Sequence, residues 1–326
     1  MFSEIVGTGS YLPKKIITNT DLSKTLDTSD EWISSRTGIK QRHCADIASE
    51  SCSQMGTNAA KKALDMAGVL PTDLDLIIVG TCTADYRLPS AACLIQEKLG
   101  AHHAAAFDIS AACAGSIYGL NIAHAFIKSG IYKNILLVTS ETLSCLVDWR
   151  DRNTAVLFGD GASAAVLSRS TKKSGFIDID LYSDGSQQKN IWIPSGGSLN
   201  PVDEAVIKER SHKIHMKGQE TFKFAVRALC DAIDKLLSQN NVKNSDISFA
   251  VPHQANLRII EAIAKRMELP MERFLINLDK CANTSAASLL LAYDEANRAH
   301  KINEGDLILM LAIGAGFVWG AGLYQV

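Results

Sequence analysis

The chain has 326 residues, of which 47% are hydrophobic and 21% are charged, with only seven prolines. A chain of this length can form one large domain or two of about 150 residues, and the composition excludes a small stapled scaffold or a disordered protein. Its 33 basic and 35 acidic residues give a formal charge of −2, which argues against global electrostatic binding to nucleic acid or anionic membrane. Any anionic ligand must therefore meet a local basic patch.

Three features bear on location and on bound metals. The N-terminus has no basic segment followed by an apolar stretch, so we expect no signal peptide. Residues 307–324 carry no charge over the length of a membrane span, but four glycines there predict two buried strands joined by a Gly-Ala-Gly turn. The eight cysteines fit neither a disulfide framework nor a zinc site. We therefore predict a cytoplasmic protein with no metal and no membrane insertion.

Short apolar runs alternate with longer, Ala-rich amphipathic segments, and this alternation predicts an α/β fold. In chain order, the predicted elements are a helix over 51–67, a strand over 76–79, a helix over 90–98, a strand over 105–109, a helix over 115–129, strands over 135–139 and 163–167, a helix over 220–238, a strand over 248–251, a helix over 257–267, a strand over 274–277, a helix over 285–299, and strands over 307–313 and 318–325.

The second half of the chain repeats the first. AAKKALDMAGVLPTDLDLIIVG, from Ala59, and AVRALCDAIDKLLSQNNVKNSDISFAVPH, from Ala225, each predict a helix, a polar connection and a buried strand. In both halves a helix, a short strand and a small-residue segment that opens another helix follow. We predict two fused copies of one α/β unit, over 1–171 and 172–326. Chance similarity between Ala-rich helices is the alternative.

Three chemically reactive residues lie where ligands gather in α/β proteins, at strand ends and at the starts of the following helices. Cys113, in the first unit, follows the strand FDIS and directly precedes a helix. Asn283 has nearly the same place in the second unit, and His253 ends the strand before it. One strand-helix-strand step separates His253 from Asn283, so both side chains could face one crevice.

Each of these residues also has a purely structural interpretation. A cysteine at a helix N-terminus gains thiolate character from unpaired backbone N–H groups, which makes Cys113 a candidate nucleophile, but a packed cysteine is the alternative. His253 could be an ordinary structural histidine, and Asn283 could simply cap the next helix.

Cysteine, histidine and asparagine together suit acyl transfer followed by stabilisation of an enolate. The cysteine can hold an acyl group as a thioester, and two neutral donors can stabilise a thioester carbonyl oxygen as it gains negative charge. A papain-like hydrolase uses the same residue types, with histidine as the base and asparagine orienting it. The residue types by themselves leave both reactions open.

Five motifs, in chain order, resemble the beta-ketoacyl-acyl-carrier-protein synthase III family: FDISAACAG, LFGDGASAAVL, VPHQANLRII, ANTSAAS and GAGFVWG. The resemblance covers essentially the whole chain. It implies a duplicated thiolase-like fold with five αβαβα layers, and an acyltransferase that condenses an acyl-CoA primer, acetyl or somewhat longer, with malonyl-acyl carrier protein to initiate type II fatty acid synthesis. It also implies a homodimer, and no cofactor besides the coenzyme A thioester substrates.

Two alternatives to this function remain. Within the same fold, the chain could be an acyltransferase or a ketoacyl synthase of secondary metabolism. From a different class, it could be a Cys-His-Asn thioester hydrolase, which would need water where the second thioester sits.

The resemblance implies roles for individual residues. Cys113 would be the acylated nucleophile, His253 and Asn283 would assist decarboxylation, and the backbone N–H groups of Cys113 and Ala315 would form an oxyanion hole. The other implied positions fall into coenzyme A and pantetheine binding (Trp32, Arg36, Arg152, Gly218, Phe222 and Asn256), the acyl pocket (Leu88, Leu143 and Phe158) and carrier-protein binding (Lys223, Arg258, Lys265 and Arg266). Arginine and tryptophan can stack on an adenine, and basic residues attract an acidic carrier protein. A buried tryptophan and solvated basic side chains are the ordinary alternatives.

The chain departs from the family pattern at three positions. Ala282 and Ala315 stand where the family often has glycine, and we expect their methyl groups to narrow the site. Leu88 replaces an aromatic residue that, in acetyl-selective relatives, closes the acyl pocket across the dimer interface. We therefore expect longer primers to be accepted.

The segment from Gly7 to Leu12, GTGSYL, imitates the start of a dinucleotide-binding fingerprint. Leu12 stands where that fingerprint has its third glycine, and no glycine-rich turn opens a helix here. We therefore predict no nicotinamide binding.

Overall fold

The computed structural model describes residues 2–170 and 174–326. In these ranges the strands are β1 (Phe2–Tyr11), β2 (Lys15–Thr18), β3 (Gln41–Cys44), β4 (Leu76–Gly80), β5 (Ala105–Ile109), β6 (Asn134–Glu141), β7 (Gly161–Ser170), β8 (Gly175–Ser183), β9 (Ile191–Trp192), β10 (His215–Met216), β11 (Phe249–Pro252), β12 (Leu307–Gly314) and β13 (Val318–Gln325). The α-helices are α1 (Asn19–Leu22), α2 (Asp30–Thr37), α3 (Cys52–Ala67), α4 (Ala91–Leu99), α5 (Gly115–Lys128), α6 (Arg152–Ala155), α7 (Glu204–Glu209), α8 (Gly218–Gln239), α9 (Leu257–Met267), α10 (Leu278–Cys281) and α11 (Ser288–Arg298). The predicted boundary at 171/172 lies outside the described residues.

Two sheets alternate with three layers of helices, which confirms the predicted αβαβα arrangement. The first sheet has the strand order β1-β7-β6-β4-β5, and the second has the order β11-β12-β13-β8. Helices α3 and α4 cover the outer face of the first sheet, and α8 and α9 cover the outer face of the second. Helices α5 and α11 fill the layer between the sheets.

The central strands are apolar without a break because both of their faces are buried. In β4, Leu76 and Ile78 face the inner helices, whereas Ile77 and Val79 face the outer ones. The uncharged segment 307–324 likewise lies within two buried, antiparallel strands, β12 and β13, as predicted. In the part of the chain described here, no helix is both long enough and apolar enough to cross a membrane.

The two sheets share one strand order, in agreement with the duplicated fold: β1-β7-β6-β4 of the first corresponds to β8-β13-β12-β11 of the second. The prediction of a strand over 274–277 is wrong, since here the structure has only a bridge between Phe274 and Ala250. The side-chain amide of Gln254 bonds the Leu275 carbonyl (3.2 Å) and the Asn277 N–H (3.3 Å). The Gln254 side chain thus bonds backbone groups that a strand over 274–277 would have paired with a neighbouring strand.

Most other predicted elements are confirmed, with boundaries that differ by up to three residues. Helix α9 and strands β5 and β13 match their predicted ranges. The predicted elements do not include β8, the antiparallel pair β2 and β3, the two-residue strands β9 and β10, or the short helices α1, α2, α6, α7 and α10. Strands β2 and β3 are short and partly exposed, so they lack a long apolar run that would reveal them.

The glycines of GTGSYL allow close packing of β1 on α3. A Cβ atom at Gly7 would stand 2.2 Å from the carbonyl oxygen of Ala63, and one at Gly9 would stand 2.2 Å from that of Ala59. The strand can lie this close to the helix backbone only with glycine at both positions. This packing accounts for the motif without a nucleotide.

Candidate active site

A cavity of about 660 Å³ brings Cys113, His253 and Asn283 together. It lies beyond the carboxyl ends of β11 and β12, where ligands commonly bind in α/β folds. Eight more of the predicted site residues line it: Trp32, Arg36, Phe158, Gly218, Phe222, Lys223, Asn256 and Arg258. The cavity therefore collects residues from both halves of the sequence.

Cys113 lies in the single-turn helix Ala112–Ala114, which leads into α5. The backbone at Gly314 packs directly on it, because a Cβ atom at position 314 would stand 2.7 Å from the Cys113 amide nitrogen. Ala315 is the next residue after Gly314, so its backbone N–H lies one position along the chain from this contact. The positive φ of the turn falls on Gly316, so the Ala315 methyl causes no backbone strain.

Burial raises the pKa of the Cys113 thiol to about 12, against a smaller opposing effect from the Ser285 hydroxyl, and the Glu141 carboxylate raises it further. This direction is opposite to the thiolate character that a helix N-terminus favours. The side chain is partly exposed and lines the cavity, so the thiol is accessible to a ligand.

His253 directly follows β11, and its neighbours fix its ring. As an edge strand, β11 can accommodate Pro252. The His253 N–H donates to the Leu311 carbonyl (2.6 Å), and ring atom Nδ1 lies 2.6 Å from Ser288 Oγ. Because Ser288 Oγ accepts from the Gln254 N–H (3.1 Å), we assign the hydroxyl proton to a bond donated to Nδ1, which leaves the ring hydrogen on Nε2. Burial lowers the pKa of His253 to about 4, so the ring is neutral.

Asn283 lines the cavity but does not cap the next helix, because Thr284 precedes the helical turn Ser285–Ala287 and Ala287 precedes α11. Its Oδ1 accepts from the Ser285 N–H (2.8 Å), two residues on, and its backbone bonds the Leu157 carbonyl (2.9 Å) and the Gly159 N–H (3.0 Å). Since the amide oxygen is engaged, the amide nitrogen is the end that can donate to a ligand. The capping interpretation is therefore wrong, and the place of Asn283 in the cavity agrees with the other one.

Trp32 and two arginines form the outer part of the site. Ser29 caps α2 by accepting from the Trp32 N–H (3.0 Å). The guanidinium carbons of Arg36 and Arg152 lie 4.7 and 5.0 Å from the centre of a Trp32 ring. Arg152, the first residue of α6, also donates to the Asp27 carbonyl (2.7 Å). The Trp32 ring thus supplies an aromatic plane, and the two guanidinium groups supply planar cations beside it.

Gly218, Phe222 and Asn256 line the same cavity from α8 and from the start of α9. Asn256 caps α9, because its Oδ1 accepts from the Arg258 N–H (2.9 Å). Its amide nitrogen is thereby left to donate. These positions combine an apolar ring with a polar donor.

The predicted acyl-pocket residues have different surroundings. Phe158 lines the cavity, and Leu143 is buried in the same apolar cluster as Phe158. Leu88 is 87% exposed and does not line the cavity of its own chain. Any contact of Leu88 with an acyl chain thus needs a second subunit.

Only two of the four predicted carrier-protein residues reach the cavity. Lys223 and Arg258 line it, whereas Lys265 and Arg266 lie in a separate hollow between α8 and α9. Arg266 also pairs with Asp234 (2.8 Å). All four residues thus lie on α8 and α9, the helices that flank the cavity, but Lys265 and Arg266 are at the far end of α9.

Ala282, which directly follows α10, has φ +57° and ψ −163°. This backbone region is essentially restricted to glycine and costs an L-residue on the order of 1–3 kcal/mol. We expect Ala282→Gly to raise the free energy of unfolding by about 1 kcal/mol, because relief of strain exceeds the entropic cost of glycine. Urea unfolding measures the difference.

Ala262→Gly, within α9, is the matched control, and its free energy of unfolding should fall by about 1 kcal/mol, because glycine is unfavourable inside a helix. A loss of stability in both variants would show that the backbone at Ala282 is not strained.

Glu141 and Ser285 are site residues that were not predicted from the sequence. Glu141 ends β6 and is completely buried, and Ser285 Oγ donates to it (3.1 Å). A glutamate at the end of the otherwise uncharged strand NILLVTSE was the available signal, whereas Ser285 had none. The analysis also omitted apolar residues of the cavity wall, namely Val156, Leu157, Ile191, Met216, Ile259, Ile313 and Phe317.

The five-layer fold and this cysteine site define a thiolase-like acyltransferase, and comparisons with known proteins narrow that class. The family described as 3-Oxoacyl-[acyl-carrier-protein (ACP)] synthase III matches residues 107–185, and its C-terminal region matches residues 237–326. The beta-ketoacyl-[acyl-carrier-protein] synthase III of Caldanaerobacter subterraneus is 50% identical over 321 residues, which are 98% of this chain and 97% of that protein.

Solved structures agree. The crystal structure of 3-oxoacyl-[acyl-carrier-protein] synthase III from Aquifex aeolicus VF5 has a TM-score of 0.92 at 47% identity, covering 99% of this chain and 100% of that one. This chain therefore belongs to the beta-ketoacyl-[acyl-carrier-protein] synthase III family. It is a condensing acyltransferase, and it catalyses the initiating condensation of fatty acid synthesis.

The priming beta-ketosynthase of the R1128 polyketide pathway has the same TM-score of 0.92, over 100% of this chain and 96% of that one, but only 32% identity. The two synthase III proteins named above are 50% and 47% identical to this chain, so the comparisons do not favour the secondary-metabolism alternative.

Proposed function

We propose that Cys113 carries the primer and that His253 and Asn283 hold the enolate of a malonyl thioester. The Cys113 sulfur attacks the carbonyl of an acyl-CoA, the bond to the coenzyme A sulfur breaks, and coenzyme A leaves as a thiol with the proton. Malonyl-acyl carrier protein then loses carbon dioxide, and the electron pair of the broken bond forms an enolate. The enolate carbon attacks the Cys113 thioester, which releases 3-oxoacyl-acyl carrier protein and restores the thiol once it is protonated.

The observation that carries this proposal is that two neutral donors line the same cavity as the thiol. The acceptor atoms of both, His253 Nδ1 and Asn283 Oδ1, are engaged by Ser288 and Ser285, which leaves N–H groups to bind a developing oxyanion. A hydrolase of the papain kind needs a basic histidine oriented by the asparagine. Here the pKa of His253 is about 4, because of burial, and the Asn283 oxygen bonds a backbone N–H instead.

The test combines the chain with acetyl-CoA and malonyl-acyl carrier protein and measures carbon dioxide and the 3-oxoacyl product. Both should form in the presence of a chelator, since we also propose that no metal or other cofactor is needed. Release of free acetate without condensation would support the hydrolase instead. The proposed location is the cytoplasm, where coenzyme A thioesters and the carrier protein would meet the enzyme.

Lys265 is the carrier-protein candidate best separated from the cavity. Lys265→Glu is expected to raise the KM for malonyl-acyl carrier protein about threefold, with little change in the KM for acyl-CoA, because it removes attraction for an acidic partner at an exposed site. The difference should shrink at high salt. Steady-state kinetics with each substrate varied in turn give both constants.

Lys128→Glu is the control, because that exposed lysine ends α5, whose other end adjoins Cys113 about 20 Å away along the helix. If Lys265→Glu changes both KM values equally, the residue does not act on the carrier protein.

We further propose a homodimer formed through β5. This strand is the edge of its sheet, bonded to β4 on one side, and its residues are partly or fully exposed. Tyr86 and Leu88 are exposed apolar residues on the loop between β4 and α4. An unpaired apolar edge is a ready template for a second chain. Analytical ultracentrifugation should give twice the mass of the chain.

In such a dimer Leu88 can reach the acyl pocket of the partner, and it is the proposed gate for primer length. Leu88→Phe is expected to cut kcat/KM for primers two methylenes longer than acetyl about tenfold relative to acetyl-CoA, because each methylene in an apolar pocket is worth about 0.8 kcal/mol. Acylation rates across a primer series measure this ratio.

Leu70→Phe, a change at another exposed leucine, should leave the ratio unaltered. An equal effect of Leu88→Phe on all primers, or a wild type that accepts acetyl-CoA alone, would show that Leu88 is not the gate.

A further inference from the structure

Glu141, at the end of β6, is a completely buried carboxylate surrounded by neutral donors. It accepts from the hydroxyls of Thr83 (2.7 Å), Ser285 (3.1 Å) and Thr81 (3.4 Å) and from the Cys82 N–H (3.2 Å). Among the described residues, none of the ion pairs includes it. Burying a carboxylate with no cation is costly and is sustained only by such hydrogen bonds.

Ser285 connects Glu141 to Asn283. Its hydroxyl donates to Glu141 (3.1 Å), its N–H donates to Asn283 Oδ1 (2.8 Å), and the same hydroxyl lies near enough to the Cys113 thiol to influence its pKa. Ser285 also has φ +50°, a conformation that a serine adopts only when its surroundings hold it. The bond to Glu141 is one of the contacts that hold it.

We propose that Glu141 is a positioning residue that fixes Ser285, and through Ser285 sets the orientation of the Asn283 amide and the environment of the Cys113 thiol. This inference rests on the proposed roles of Cys113, His253 and Asn283. It adds a group that touches neither substrate and acts through another residue.

Burial raises the pKa of Glu141 itself, and the hydrogen bonds from Thr83, Cys82 and Ser285 oppose that rise; in its ionised form the carboxylate also acts on the thiol through its charge. A nearby anion disfavours a thiolate, so Glu141 adds to the effect of burial and raises the pKa of Cys113. The titratable groups that face the thiol are Glu141, the Cys82 thiol and, within the same cavity, the neutral His253 ring. Removing the charge at 141 should therefore lower the pKa of Cys113.

Glu141→Gln separates these two effects. Glutamine has one acceptor oxygen instead of two, so it cannot accept from both Ser285 and Thr83, and its amide nitrogen places a donor against a donor. We expect kcat for condensation to fall about tenfold or more because the Asn283 donor is misplaced, with KM for both substrates nearly unchanged. Alkylation of Cys113 by iodoacetamide should instead extend to lower pH. A general loss of structure would not lower one rate and shift the other in this way.

Ser285→Ala tests the same connection from its other end. It should lower kcat by a similar factor, and the double variant should lose little more than either single variant, because the two residues act as one unit. Should Glu141→Gln fail to fold, as judged by thermal unfolding, Ser285→Ala alone decides: wild-type kcat in that variant overturns the proposal.

Asp294→Asn is the matched control. Asp294 is an equally buried carboxylate outside the cavity lining; it accepts from Thr8 Oγ1 (2.7 Å) and Ser10 Oγ (2.6 Å) and, unlike Glu141, is also paired with a cation, Arg298 (2.8 Å). Asp294→Asn should lower the free energy of unfolding, while kcat for condensation and the pH profile of Cys113 alkylation stay as in the wild type.

The outcomes are distinct. Wild-type kcat and an unchanged alkylation profile in Glu141→Gln would overturn the positioning role, whereas a wild type that is never acylated at Cys113 would overturn the proposed function itself.

Discussion

Cys113→Ser is expected to abolish formation of the acyl-enzyme while leaving the fold and the cavity intact. The change replaces one atom, but an alcohol is a far weaker acid than a thiol, and burial already raises the pKa of the thiol to about 12. Intact-mass spectrometry after incubation with acetyl-CoA should show one added acetyl group on the wild type and none on the variant.

Two further measurements complete this test. The variant should still decarboxylate malonyl-acyl carrier protein, because the His253 and Asn283 donors do not depend on the sulfur. Cys93→Ser, which removes an exposed thiol on α4 away from the cavity lining, should acylate like the wild type. An acetyl group found on the Cys113→Ser protein would place the nucleophile elsewhere.

His253→Ala and Asn283→Ala are expected to have the opposite pattern. Each should still acylate Cys113, and each should slow malonyl decarboxylation by about two orders of magnitude, the usual scale for losing an oxyanion donor. Carbon dioxide release and intact mass, measured on the same samples, separate the two half-reactions. If His253→Ala eliminates acylation, the histidine is mainly a base for the thiol, as in the hydrolase alternative.

The pH dependence distinguishes a donor from a base. Because burial lowers the pKa of His253 to about 4, its ring stays neutral from pH 8 down to about pH 5. Decarboxylation by the Cys113→Ser protein, which lacks the thiol, should therefore be nearly flat over that range. A fall in rate centred near pH 6.5 would mean that the ring titrates as an exposed histidine does.

The sequence by itself determined the fold class and the places of the three central residues. Alternation of apolar runs with amphipathic segments predicts the layers, because a strand buried on both faces must be apolar throughout, as Leu76 to Val79 are. Cys113, His253 and Asn283 could be located because ligand-binding groups follow strand ends in this kind of fold. The paired strand orders agree with the repeat over four strands, although β5, which precedes Cys113, has only the isolated bridge at Phe274 as its counterpart before Asn283.

Only the tertiary structure decided the directions of the pKa shifts of these groups. Local sequence favours a thiolate at a helix N-terminus, yet burial by residues distant in sequence raises the pKa of the Cys113 thiol and lowers the pKa of the His253 ring. The Glu141–Ser285 contact spans 144 positions, and no local pattern announces a bond of that kind. Likewise, Lys265 and Arg258 both lie on α9, but only Arg258, near the start of the helix, lines the cavity. Propensity and periodicity depend on neighbours along the chain, whereas pKa, cavity lining and hydrogen-bond partners depend on what folding brings close.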